Sequence, residues 1–163
     1  MAITATQNAA YFSGPIPQQR KMLATDAKTW KAGEFGLIAA AGTVEPVVTG
    51  STAATVVFAE DQDSATSTST VKVYLLDSSE TRWRVYVSNG ANDAVAATTQ
   101  IGQHFGIRVT SNITTLDVGE TGSLFFRVRE LYPNIEAGTH AIADNPGQVI
   151  ASVLTTVLEA DAS

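Results

Sequence analysis

The sequence predicts an all-β fold, a compact β-barrel or sandwich with an extended N-terminal arm, and three observations lead there. Threonine and valine are abundant, and β-branched side chains are stiff at the first torsion and favour extended backbone. Between Val71 and Leu131, apolar residues alternate with Thr, Arg and Ser in short runs separated by turn residues, which is the spacing of a sandwich or barrel. Cysteine is absent, so packing or assembly, not disulfides or thiolate-bound metal, must hold the chain together. At 163 residues the chain has the size of one domain. Its charged fraction is 16%, low against a usual value of about 25%, so much of the surface is suited to contacts.

The elements follow in order. Residues 1–30 lack sustained periodicity, and Gly14-Pro15-Ile16-Pro17 contains two residues that fix φ and carry no backbone donor. This segment reads as an arm, not as strands, ahead of a β-rich domain over 31–163, with residues 1–29 dispensable for folding. It nevertheless holds Tyr11, Phe12, Ile16, Met22, Leu23 and Trp30, too much apolar surface for a solvated tail. These side chains are expected to bury against a partner or a neighbouring copy, with Arg20, Lys21, Lys28 and Lys31 steering the approach.

From Trp30 onward the pattern becomes strand and turn. Strands are expected at Glu34–Ala40, Thr43–Val48 and Ala54–Ala59, divided at Ala41-Gly42 and Thr49-Gly50-Ser51. The polar stretch from Glu60 to Ser69 reads as an exposed loop. Val71–Leu75 and Trp83–Val87 alternate on either side of Asp77-Ser78-Ser79 and form the best hairpin candidate. Across the pleat, Trp83, Val85 and Val87 share one face, and Arg82, Arg84 and Tyr86 the other. Asn89-Gly90 ends that strand, and Gly106–Thr110 and Ser123–Leu131 supply two more. In the last of these, Arg127 and Arg129 are expected on one face and Phe126, Val128 and Glu130 on the other. At the C-terminus, Val149, Ile150, Val153, Leu154, Val157 and Leu158 recur with helical spacing. The β-branched content of 147–158 favours a strand instead.

Charge narrows the function classes. The net charge is −6, which argues against nucleic-acid binding, because a phosphate-binding surface needs clustered Lys and Arg. The balance is uneven: residues 1–31 carry Arg20, Lys21, Lys28 and Lys31 against Asp26 alone, and no basic residue follows Arg129. A basic arm meeting an acidic surface is the expected arrangement. The N-terminus lacks the basic and apolar regions of a secretory signal, and no run is long enough to span a membrane as a helix. Asn112-Ile113-Thr114 is then a chance sequon in a Thr-rich strand.

Catalytic and metal chemistry find no anchor. His104 and His140 lie in no HxH, HxxxH or HxxE pattern, and His104 beside Phe105-Gly106 reads as a turn or rim residue. Glu60, Asp61 and Asp63 lack the order of an EF-hand loop and read as solvated. No nucleophile elbow, Walker loop or dinucleotide fingerprint occurs. The expectation is a non-enzymatic protein with no cofactor and no metal. Trp30 and Trp83 could form a sugar-stacking platform, although inward-facing core tryptophans are commoner.

Trp30-Lys31-Ala32-Gly33-Glu34, the Ala41-Gly42-Thr43-Val44-Glu45-Pro46 corner, Ala59-Glu60-Asp61 and Ile101-Gly102 with Phe105-Gly106 resemble, in order and spacing, tailed-phage capsid decoration (cement) proteins. The likeness continues through Val128-Arg129-Glu130-Leu131-Tyr132-Pro133 to Val149-Ile150, covering roughly residues 30–158. It implies a β-rich virion structural protein, made in the host cytoplasm, that binds the outer surface of an icosahedral head. It further implies a homotrimer that clamps neighbouring major-capsid subunits, with no nucleic acid or membrane as partner. The alternatives are another head or tail structural domain and a glycan-binding adhesin.

Overall fold

A computed structural model describes residues 8–66, 68–132 and 146–158. Its strands are β1 (Ala10–Ser13), β2 (Gln19–Leu23), β3 (Phe35–Ile38), β4 (Val44–Pro46), β5 (Val56–Phe58) and β6 (Thr70–Leu75). They continue with β7 (Arg82–Asn89), β8 (Asn92–Asp93), β9 (His104–Thr110), β10 (Ile113–Asp117), β11 (Phe126–Tyr132) and β12 (Gln148–Val153). A single helical turn, α1 (Thr155–Leu158), ends the described chain. The all-β prediction is met, in the form of two curled sheets packed together.

The C-terminal sheet closes on itself. β7 pairs parallel with β10, β10 with β9, β9 with β11, β11 with β12, and β12 returns to β7. β1 adds to the first half of β7, on Arg82–Arg84, beyond the stretch that β10 occupies. The N-terminal sheet runs β2-β6-β5-β3-β4, and a parallel bridge between Ala24 and Val44 joins its two edges. Closure removes the open edges that make sheets prone to pairing with other chains.

Two cores result. The larger contains Trp83, Val85, Val87, Ile107, Leu116, Phe125, Phe126 and Val149, and the smaller contains Trp30, Val44, Val56, Phe58, Val71 and Val73. β3 and β5 form the wall between them, because alternate residues point opposite ways. Phe35, Leu37 and Val57 face the larger core, and Ile38, Val56 and Phe58 the smaller. β5 is therefore buried on both faces, as its uninterrupted Val-Val-Phe requires. Gly36 lies in this wall because a Cβ there would come within 2.7 Å of the Phe58 ring and 2.8 Å of the Glu45 carbonyl.

Several expectations are corrected. Ala10–Ser13 and Gln19–Leu23, read as part of an arm, are strands of the two sheets, β1 on β7 and β2 on β6. The prolines lie between the two strands, where no ladder donor is required. Trp30, read as an arm contact residue, is a core residue instead, 1% exposed and stacked on Phe58 at 4.2 Å. Residues 1–7 are outside the described chain. The hairpin expected between Val71–Leu75 and Trp83–Val87 does not form: β6 pairs with β2 and β5, and β7 belongs to the other sheet. Alternation assigns faces, not partners, and the intervening segment crosses between sheets.

In β11 the alternation slips. The register shifts between Val128 and Glu130, so Glu130 turns outward and Leu131 enters the core. Such a bulge inserts one unpaired residue and resets the faces beyond it. Glu130 then meets Arg82 at 3.5 Å. The C-terminal run divides: Gln148–Val153 is strand, as the β-branched content favours, and Thr155–Leu158 makes the helical turn that the stripe favours. The expected faces of β7 are observed, with Trp83, Val85 and Val87 buried.

Candidate functional site

The exposed apolar side chains concentrate on the N-terminal segment. Tyr11 and Phe12 are each 44% exposed, Leu23 46% and Ile16 83%. Strand pairing fixes Tyr11 opposite Trp83, with Ala10 opposite Arg84, and Phe12 lies where the register shifts before Ser13. Tyr11 packs edge-on against the Trp83 ring, and Phe12 against Tyr132, with centroids 6.4 and 5.9 Å apart. Arg84 lies over the same Tyr132 ring, a cation–π contact that helps hold this aromatic patch.

The Gly14–Pro17 turn is pinned to the body. The Tyr11 hydroxyl donates to the Gly14 carbonyl at 2.8 Å, and the Thr81 hydroxyl donates to the Pro15 carbonyl at 2.8 Å. Gly14 has φ +91°, and a Cβ there would lie 2.5 Å from the Glu80 carbonyl, so glycine is required for this approach. Ile16 is thereby presented outward on a fixed turn. Beside it, a cavity of about 380 Å³ is lined by Tyr11, Ile16, Pro17, Phe58, Tyr74 and Trp83, among others.

Of the other predicted contact residues, Arg20 and Lys21 are exposed on β2, with Arg20 bonded to Gln18 at 3.2 Å. Lys28 is exposed and lies 3.9 Å from Glu45. Met22 and Trp30 instead pack in the smaller core. Trp83 is 2% exposed, so the two tryptophans form no sugar-stacking platform. His104 is exposed at the start of β9, opposite Arg127. His140 lies outside the described residues.

The acidic loop is mostly exposed, and its carboxylates are engaged separately. Glu60 accepts the Lys72 N–H at 2.9 Å, Asp61 the Ala32 N–H at 2.8 Å, and Asp63 the Thr29 hydroxyl at 3.3 Å. Among the described residues, no three His, Asp or Glu side chains are grouped as a metal site would need. No helix of the described chain is long and apolar enough to cross a membrane.

A second feature carries little sequence signal. Glu34 is 1% exposed. Its Oε2 accepts the Lys31 N–H at 3.1 Å, and among the described residues Oε1 has no hydrogen-bond partner. Burial pushes its carboxyl up to about 7, against the smaller opposing effects of the Lys31 N–H and the Asn112 amide. Asn112, beside the carboxyl, also donates through Nδ2 to the Thr29 carbonyl at 2.9 Å. Asn112 belongs to the two-residue β9–β10 turn, where Ser111 and Asn112 both have positive φ, the type I′ geometry favoured in tight hairpins. Asn8 clamps that turn, donating to the Asn112 carbonyl at 2.8 Å and accepting from the Thr114 N–H. The only sequence signal for this site is a lone acid between Gly33 and Phe35.

No family model, no curated protein and no solved structure matches this chain.

Proposed function

We propose that this protein is a capsid decoration protein, binding the outer surface of an icosahedral phage head as a homotrimer and cementing neighbouring major-capsid subunits. The observation that carries the reading is the rigid presentation of Tyr11, Phe12, Ile16 and Leu23 at the surface, beside Arg20 and Lys21. Apolar side chains exposed on braced strands and a pinned turn suit a docking face, since little side-chain and loop entropy is lost on binding. The resemblance in the Trp30–Glu34 and Ala41–Pro46 segments supplies the class of partner.

Cementing needs no reaction. A trimer presents three such faces, and linked sites gain roughly 10²- to 10⁴-fold in avidity over one. A ligand that binds only the assembled lattice favours that lattice by mass action.

The test is addition of the purified full-length protein to expanded heads stripped of decoration, with bound copies counted after sedimentation and located by electron microscopy. Saturable binding to the outer surface, reduced at least tenfold by Ile16→Asp, is expected. No binding to expanded heads overturns the reading, and equal binding by Ile16→Asp removes this face from it.

A further inference from the structure

The outer face of the C-terminal sheet gathers basic groups that lie far apart in the chain. One row crosses four strands: Arg82 of β7 is opposite Ser152 of β12, Ser152 opposite Arg127 of β11, and Arg127 opposite His104 of β9. Residues directly opposite on neighbouring strands share a face, so two guanidiniums, a hydroxyl and an imidazole stand side by side. Arg129, the extra residue of the β11 bulge, joins them by donating from Nε to Ser152 Oγ at 2.8 Å.

Like charges on neighbouring positions of a sheet repel unless something neutralises them. Acids and rings do so for the other arginines of this sheet: Glu130 meets Arg82 at 3.5 Å, Asp117 lies 3.9 Å from Arg108, and Arg84 lies over Tyr132. Arg127 and Arg129 form no salt bridge among the described residues. In a chain of net charge −6, this pair is a local reversal of sign without a counter-charge.

The same groups surround a hollow. A cavity of about 280 Å³ is lined by Arg127, Arg129, His104, Ser152 and Thr155, with Ser79 and Glu80 from the segment before β7. None of these residues borders the cavity beside Ile16, so this site does not depend on the N-terminal face. Ser152 holds Arg129 through Nε, which leaves both terminal guanidinium nitrogens to donate elsewhere, and the Ser152 hydroxyl keeps its own proton. Glu80 is the single acid of the lining, exposed and in no salt bridge among the described residues.

The occupant's chemistry follows from these donors. Uncompensated guanidiniums call for an anion, and N–H and O–H donors call for oxygen on it. A carboxylate has two oxygens in one plane, which a single guanidinium fork satisfies. Here donors come from three strands around a concave site, an arrangement matched by the tetrahedral oxygens of a phosphate. We propose that this cavity binds a phosphate group, held by the Arg127 and Arg129 guanidiniums with His104, Ser152 and Thr155 as further donors. The group is shared by the free ion and by phosphate esters.

The test titrates the full-length protein with inorganic phosphate, ethyl phosphate and acetate at fixed ionic strength, following amide NMR shifts at His104, Arg127, Ser152 and Thr155. Saturable shifts there are expected with phosphate, and acetate should bind about tenfold more weakly, since it leaves donors unmet. Arg127→Gln, at an exposed position where folding is not at risk, should lose about tenfold in phosphate affinity, the loss of one charge-assisted hydrogen bond. Glu80→Gln should tighten phosphate several-fold by removing a like charge from the lining, and Arg20→Gln, on the other sheet, should change nothing. Arg127→Gln binding as tightly as the parent, or Arg20→Gln losing as much as Arg127→Gln, overturns the site. Acetate binding as tightly as phosphate overturns the choice of a tetrahedral anion. Ethyl phosphate that matches or exceeds inorganic phosphate supports a phosphate carried on a larger molecule, and a weaker ester supports the free ion.

Discussion

The two sheets solve the same problem with different materials. In the C-terminal sheet the ring is closed by ladders on every side, and its core is an aromatic cluster. Phe35 meets Trp83, Phe125 and Phe126 edge-on, with centroids 5.4–5.8 Å apart. In the N-terminal sheet the two edges meet through a single bridge, and the core is one stacked pair, Trp30 on Phe58, surrounded by valines and alanines. Yet the smaller unit is not a separate domain, because β3 and β5 give alternate residues to each core. The difference teaches that the weaker closure is held by the stronger through a shared wall.

The largest effect should come from breaking that wall. Phe35 is fully buried and touches three aromatic rings of the larger core. Phe35→Ala should cost about 3–5 kcal/mol. Each core holds one tryptophan, Trp30 or Trp83, so Trp83→Phe and Trp30→Phe backgrounds report each core separately by fluorescence. The two urea transitions should coincide in both backgrounds and shift together on Phe35→Ala. Transitions at different midpoints would show that the cores unfold independently.

Next in size is the pH dependence of Glu34, whose carboxyl is raised from 4.5 to about 7. The folded state then holds a proton that the unfolded state releases between those values. Stability is full below about pH 4.5, falls as pH rises toward 7, and stays lower above it. The fall attributable to this one group is about 3 kcal/mol at most. Denaturant melts at pH 5 and pH 8 should show it, and Glu34→Gln should flatten it. A parent protein equally stable at both values, with Glu34→Gln no different, would mean that Glu34 stays ionised when folded.

The wall also shows what was legible in the sequence. Period-two alternation gave the faces of β7 correctly, since Trp83, Val85 and Val87 needed only a core to point at. It does not name strand partners, and so it suggests a hairpin of β6 and β7 although a crossing segment separates them. The β11 bulge was invisible for a related reason: an extra residue at Arg129 is set by the pairing with β12, not by local composition. Prolines made residues 10–23 look like an arm, because they mark where pairing stops and say nothing of the strands on either side. The exposed candidates Tyr11, Phe12, Ile16 and Leu23 were readable as apolar residues in a polar context. Glu34 was not, because its burial arises from the β9–β10 turn, more than 70 residues along the chain.

Glycine at position 36 sharpens the comparison at smaller scale. A Cβ there would strike the Phe58 ring and the Glu45 carbonyl, and neither can withdraw without disturbing the Trp30 stack or the β3–β4 ladder. Gly36→Ala should therefore cost about 1–3 kcal/mol, the usual range for overpacking. Thermal unfolding followed through Trp30 in the Trp83→Phe background reads it directly. An unchanged midpoint would mean that the smaller core has slack to absorb a methyl group.

The smallest expected effect belongs to the surface whose role in binding is proposed above. Ile16 is 83% exposed on a turn held by backbone contacts at Gly14 and Pro15, so its side chain contributes little to either core. Ile16→Asp should change stability by no more than about 0.5 kcal/mol, as surface substitutions away from caps and networks generally do. Paired with the head-binding measurement, this separates two causes of lost affinity. A variant that binds weakly but melts with the parent has lost a contact. A variant that melts well below the parent would instead show that Ile16 braces the β1–β2 turn against the wall, making the N-terminal face a structural continuation of the smaller sheet.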